Sequence, residues 1–134
     1  MEIGVLGFSG SRNIGDYIQT KAVIDILNKQ NIKILEREKL NSYNGPPIKT
    51  IINGWFMENP KNWPPNNNIN PLFISFHINP SIVKTFINHQ SIEYFKKHEP
   101  IGCRDYYTRD LLVKNGINAY FSSCVTLGLS LIHI

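Results

Sequence analysis

The chain has 134 residues, with 14 Lys and Arg against 10 Asp and Glu and a formal net charge of +4. That length suits one domain with a sizeable core, and the basic residues are scattered rather than gathered into a phosphate-tracking stripe, which argues against a nucleic-acid partner. No run approaches the roughly 20 apolar residues of a membrane span, and no basic stretch precedes a long apolar one at the N-terminus, so neither a transmembrane segment nor a signal peptide is expected and the default location is cytoplasmic.

Strand-like and helix-like segments alternate. Ile3 to Phe8 is a short apolar run of the kind that forms a buried strand. The small polar loop Ser9-Gly10-Ser11-Arg12-Asn13-Ile14-Gly15 follows, and Asp16 opens a helix over DYIQTKAVIDILNK. Tyr17, Ile18, Ala22, Val23, Ile26 and Leu27 fall at helical spacing and predict one apolar stripe. A carboxylate in the first turn suits the helix dipole. Ile32 to Leu35 reads as a second strand, which completes a βαβ unit with a right-handed crossover.

Thr50 to Gly54 predicts a third strand. The Asn- and Pro-rich stretch from Glu58 to Pro71 is long for a connection inside one domain, and such loops are usually functional or disordered. Leu72 to His77 is a fourth strand, and helical stretches begin at Asn79-Pro80-Ser81 and Gln90-Ser91-Ile92. Ile101 to Cys103 is a fifth strand. Asp105 precedes the helix YYTRDLLVKN, which Gly116 ends, and Ala119 to Phe121 is a sixth strand. Cys103 and Cys124 match neither a zinc pattern nor a disulfide framework and read as buried thiols at strand ends. Leu129 to Ile134 is an apolar tail without a turn, cap or closing strand. It reads as the translation of a sequencing adapter, so the natural sequence is expected to depart near Gly128. The expected fold is α/β and Rossmann-like, an open, mostly parallel sheet with helices on both faces.

In such sheets ligands bind beyond the carboxyl ends of the strands. The polar groups there are Ser9, Ser11, Asn13 and Asp16 after the first strand, and Asn53, Gly54 and Trp55 after the third. His77 and Asn79 follow the fourth, Arg104 and Asp105 the fifth, and Ser122, Ser123 and Cys124 the sixth. The Ser9 loop precedes a helix N-terminus, whose free N–H groups suit an anion or a sugar hydroxyl. It is neither a G-x-G-x-x-G fingerprint nor a nucleotide P-loop, and a plain βα turn is the other reading. His77 suits a general acid or base or a structural histidine. Arg104 suits an anion or an ion pair near a helix capped by Asp105. Trp55 and Phe56 suit a sugar face or a core edge. Ser122, Ser123 and Thr126 lack a nucleophile-elbow context, while His89 and His98 read as surface residues.

Several segments together resemble the polysaccharide pyruvyl transferase family. They are IGVLGF running into NIGDYIQTKAVIDIL, then INGWF, PLFISFHI and PIGCRDYYTRDLLVKNGINAYFSSCVTLGL, spanning nearly all of residues 1–128. The resemblance implies one half of a GT-B-like, two-domain enzyme that transfers a pyruvyl group from phosphoenolpyruvate to a sugar of a cell-surface glycan, forming a cyclic ketal. It implies a missing C-terminal domain, an inactive fragment when this half stands alone, no cofactor beyond the donor substrate, and no metal. Asn13, Gly15, Asp16 and Gln19 match the N-terminal motif, His77 the end of the middle strand, and Arg104, Asp105 and Thr108 the late motif. Cys124 and Thr126 match the closing motif. Asp16 and His77 are the expected catalytic residues. Ser9, Ser11, Asn13, Gly15, Gln19, Gly54, Arg104, Asp105, Thr108 and Ser123 are the expected substrate-binding residues. A nucleotide-sugar glycosyltransferase of GT-B type and a non-catalytic α/β binding module are the alternatives. Donor competition separates the first, and solution behaviour of the isolated domain the second.

Overall fold

Alternate side chains of the first strand part to opposite faces and seed two separate cores. The structure, a computed structural model, describes residues 2–11, 13–27 and 31–123. Its strands are β1 (Glu2–Gly7), β2 (Asn31–Glu36), β3 (Ile48–Phe56), β4 (Ile69–Ile78), β5 (Ile101–Cys103) and β6 (Ala119–Phe121). Its helices are α1 (Ile14–Leu27), α2 (Val83–Phe86), α3 (His89–Lys97) and α4 (Tyr106–Lys114). The six strands form one parallel sheet in the order β2-β1-β3-β4-β5-β6, the expected α/β architecture. Val5 packs with Ala22 and Val23 of α1. Leu6 belongs to a larger cluster with Phe86, Phe95 and Leu112 from α2, α3 and α4. The chain therefore winds one way from β1 to β2 and the other way from β3 onward, so right-handed crossovers put α1 on one face and the later helices on the other.

The segment from Glu58 to Pro71 departs from its expected character. Ile69 already starts β4, and Trp63 is buried at the centre of the larger core. Its ring lies 5.0 Å from Phe86, 5.4 Å from Phe56 and 5.6 Å from Phe95, centroid to centroid. The connection is a structural plug, held by an aromatic side chain whose burial stabilises by about 2 to 3 kcal/mol. His98 departs as well: its ring packs on Tyr94 at 4.7 Å, whereas His89 is exposed as expected and pairs with Glu93.

The stripe expected on α1 is only partly buried. Ala22 and Val23 face the sheet, but Tyr17, Ile18 and Ile26 are exposed, and the buried residues nearest the helix start are Asp16 and Gln19. The helix begins two residues before the expected Asp16. The Asn13 side chain accepts from the amide of Gly15 at 2.9 Å and its carbonyl from the amide of Asp16 at 3.1 Å, so Asn13 caps the helix. Thr20 then fastens α1 to the end of β1, donating to the carbonyl of Leu6 at 2.8 Å.

Between β3 and β4 the register slips at Ile52/Gly54. Gly54 and Ser75 sit in the left-handed region, at φ 81° and 55°. That conformation costs a non-glycine residue roughly 1 to 2 kcal/mol. Ser75 is offset by two bonds, its amide to Ser122 Oγ at 2.8 Å and its hydroxyl to the Ser123 carbonyl at 2.6 Å. The bulge re-aims the strand ends and sets Trp55 beside His77 in register.

Gly102 of β5 faces a crowded surface. A Cβ there would meet the Phe73 carbonyl oxygen at 2.8 Å and the Tyr120 hydroxyl at 2.9 Å. The backbone oxygen cannot yield as a side chain would. Gly102→Ala is expected to lower stability by about 1 to 3 kcal/mol, read as a drop in the urea midpoint at unchanged slope.

Candidate functional site

The strand order reverses between β1 and β3, and ligands in open α/β sheets bind at such a point, outside the carboxyl ends of the strands. A cavity of about 560 Å³ opens there. Ser11 and Asn13 line it from the loop after β1, Asp16 and Gln19 from α1, Trp55 from β3 and Arg104 from beyond β5; Gly10, Gly15 and Glu58 complete the lining. Six of the residues expected from sequence therefore meet at one cavity: Ser11, Asn13, Gly15, Asp16, Gln19 and Arg104.

Asp16 is buried and tightly held. Ser11 donates its hydroxyl to Asp16 Oδ2 at 2.5 Å, and Tyr17 donates to the Ser11 carbonyl at 2.7 Å. Asn53, buried beneath, donates to Gln19 Oε1 at 3.4 Å. Arg104 differs. Its amide donates to the Phe76 carbonyl at 2.8 Å, but its guanidinium has no ion-pair partner among the described residues, contrary to the ion-pair reading. It is a cation presented to the cavity.

His77 lies at the end of β4, with its Nδ1 paired to Asp105 Oδ2 and 3.3 Å from Thr108 Oγ1. Burial and the neighbouring Arg104 charge hold the imidazole below its ordinary pKa, while Asp105 pulls the other way. The ring is therefore largely neutral at neutral pH, and Nε2 has no partner among the described residues. Burial would raise the Asp105 carboxyl, but the amide and hydroxyl of Thr108 and the adjoining His77 outweigh it and hold Asp105 below the usual range. Asp105 also caps α4, accepting from the amide of Thr108 at 2.8 Å. Thr108 is fully buried and receives the amide of Ile78 at 3.1 Å, so it orients the pair from behind. Cys103 is buried as expected, with its thiol pushed up to about 12 by burial and by Asp105.

None of the other expected residues lines that cavity, His77, Asp105 and Thr108 included. Ser9 lines a neighbouring cavity and donates its amide to Glu36 at 2.8 Å. Gly54 lies under Phe8 and Gln19. Ser123 offers its carbonyl to Ser75. Cys124, Thr126 and the tail from Leu129 to Ile134 fall outside the described residues. Among the described residues, no group of three or more His, Cys, Asp or Glu is placed to hold a metal ion, and no helix is long and apolar enough to cross a membrane.

Arg37, at the end of β2, was not singled out in the sequence. Its guanidinium is buried, 4.9 Å from the centroids of both Phe8 and Trp55. It donates to Glu38 at 2.7 Å and to the Trp55 carbonyl at 3.3 Å, and lies 3.9 Å from Asp16 Oδ2. Glu38 in turn accepts the amides of Glu58 at 3.1 Å and Asn59 at 3.0 Å. The only sequence signal was a charged pair directly after an apolar strand, which a solvated loop shows equally well.

The family model for polysaccharide pyruvyl transferases matches residues 13–133. The chain belongs to the polysaccharide pyruvyl transferase family. No curated protein and no solved structure matches it. In this pyruvyl transferase-like domain, membership points to a transferase with a glycan acceptor, and the matched span includes every lining residue of the cavity except Gly10 and Ser11.

Removing Arg37 strands Glu38 and unseats Trp55. Arg37→Ala is expected to cost about 3 kcal/mol. Arg37→Lys, which keeps the charge but lacks the planar fork, should recover only part of it. Urea unfolding of the three proteins checks the order.

Proposed function

We propose that this domain is the acceptor-side half of a phosphoenolpyruvate-dependent pyruvyl transferase, with a second GT-B-like domain facing the rim and supplying further donor contacts. The observation that supports it most is Arg104, a cation without an ion-pair partner among the described residues, on the same cavity as the buried carboxylate Asp16. A donor bearing phosphate and carboxylate needs such a cation, and the chemistry needs a proton carrier.

A sugar with two free hydroxyls lies in the cavity. One hydroxyl oxygen attacks C2 of the donor's enol while its proton passes to the base, and the methylene carbon takes a proton to become a methyl group. The second hydroxyl then bonds to the same carbon, its proton leaves, and the C–O bond to phosphate breaks to give the cyclic ketal. His77, which is not a lining residue of the cavity but stands in register beside Trp55 and next to Arg104, carries the protons: Asp105 holds Nδ1, and Nε2 is the nitrogen that would face substrate. Asp16 accepts the hydrogen bond of a sugar hydroxyl or shares the proton carrying, and Arg104 holds the anionic donor. The compartment is cytoplasmic, where phosphoenolpyruvate is found, and the acceptor belongs to a cell-surface glycan.

The test uses protein expressed from the complete gene, measuring phosphate release from phosphoenolpyruvate with glycan acceptors. His77→Gln is expected to lower kcat by about 10² to 10⁴, and Arg104→Ala to raise KM for the donor. The acid limb of kcat/KM should carry an apparent pKa below ~6.5, because the base must be neutral and burial with Arg104 depresses it. Asp105→Asn removes the carboxylate that raises that pKa, so the limb should move to lower pH. Activity unchanged in both Asp16→Ala and His77→Ala removes those roles, and inhibition by nucleoside diphosphates in place of donor turnover points to glycosyl transfer instead.

A further inference from the structure

We infer that Trp55 is a stacking platform for the nonpolar face of a pyranose, which makes it the residue that selects a ring-closed sugar as acceptor; this rests on the cavity being the acceptor site. Trp55 is half-buried and lines the cavity. The Arg37 guanidinium lies over one face of the indole, 4.9 Å from its centroid, and does not line that cavity. Arg37 belongs instead to the neighbouring cavity of about 300 Å³, together with Phe8. Phe8 and Arg37 thus line the smaller cavity and Trp55 the larger one, with the Arg37 guanidinium against the indole between them.

Four features of this site suit a sugar. The backbone that carries the indole is held, because the Trp55 carbonyl accepts from Arg37 and the next loop residues, Glu58 and Asn59, are held by Glu38, and the Arg37 guanidinium packs on the ring itself. A side chain already held in place loses little entropy when a ligand lands on it. The C–H groups of a pyranose gather on one face and carry slight positive charge, which complements the electron-rich face of an indole. The groups around the ring are hydrogen-bonding ones: Asn13, Asp16 and Glu58 line the same cavity and can receive or donate to hydroxyls. The volume of about 560 Å³ lies in the range of small-ligand sites, about 300 to 1,000 Å³.

The chain has two tryptophans, and Trp63 is buried in the core. The experiment titrates the chain with methyl glycosides of common hexoses and N-acetylhexosamines by calorimetry, with sorbitol as an acyclic polyol that has the hydroxyls but no ring face. Trp63→Phe, with Trp55 as its one indole, should show a saturable change of emission on glycoside addition. Trp55→Ala should weaken glycoside binding by about ten-fold or more, and Trp55→Phe should retain most of it. Equal affinity in Trp55→Ala, sorbitol binding as well as a glycoside, or no glycoside binding at all would overturn the platform. Binding with this pattern and no turnover of phosphoenolpyruvate by protein expressed from the complete gene keeps the platform and rejects pyruvyl transfer. Turnover by that complete protein with acceptor affinity unchanged in Trp55→Ala keeps the transfer and rejects the platform.

Discussion

One buried guanidinium organises the edge of this sheet. Arg37 brings a guanidinium out of water, and a buried cation must be compensated by partners close at hand. Glu38 supplies the opposite charge at 2.7 Å, and the Phe8 and Trp55 rings meet the cation at 4.9 Å. Each partner comes from a different stretch of chain: Phe8 follows β1, Glu38 follows β2 and Trp55 ends β3. Satisfying the cation therefore fixes three strand ends against one another. Glu38 extends the constraint to the backbone after β3 by accepting the amides of Glu58 and Asn59.

The helix beside this cluster shows how one element serves both core and cavity. The middle of α1 lies over the sheet, so its inner face carries Ala22 and Val23 against Val5. Its first turns stand near the carboxyl edge, where the same inner face meets the cavity. Apolar residues there would leave the cavity without groups to bind a polar ligand. Asp16 and Gln19 occupy those inner positions, and Ile14, Tyr17 and Ile18 point outward. The weak amphipathicity of this helix follows from a binding edge rather than from poor packing.

That arrangement also explains what could be read in the sequence. The six strands announced themselves by short apolar runs between turn signals, and Asp105 by its place before a helix. The rim followed from a topological rule, so Asp16 and Arg104 could be placed on one edge without coordinates. The apolar stripe on α1 packs inward only in its second half, at Ala22, Val23 and the partly buried Leu27, because periodicity reports spacing and not which positions face the core. The stretch from Glu58 to Pro71 read as functional or disordered because the aromatic that seats it in the core, Trp63, gains its burial from Phe86 and Phe95, about 20 to 30 residues away along the chain. Arg37 was invisible for the same reason: its meaning lies in aromatic rings from β1 and β3, and no local pattern encodes a contact made across strands.

The His77–Asp105 pair is built on a different principle from the Arg37 cluster. There, one charge gathers side chains from several loops. Here, one helix cap is shared. Asp105 uses Oδ1 to cap α4 through the amide of Thr108 and Oδ2 to face His77 Nδ1. Thr108 Oγ1 takes the amide of Ile78 and lies beside the same imidazole nitrogen. The geometry that starts the helix thus also fixes the ring's orientation, with no additional element. Its electrostatics are opposed: Asp105 favours the protonated ring, while burial and Arg104 disfavour it. Burial prevails, with the neighbouring cation beside it, and the imidazole is held below its ordinary pKa. The same residue, Arg104, thus lines the cavity and shifts the His77 ring toward its neutral form.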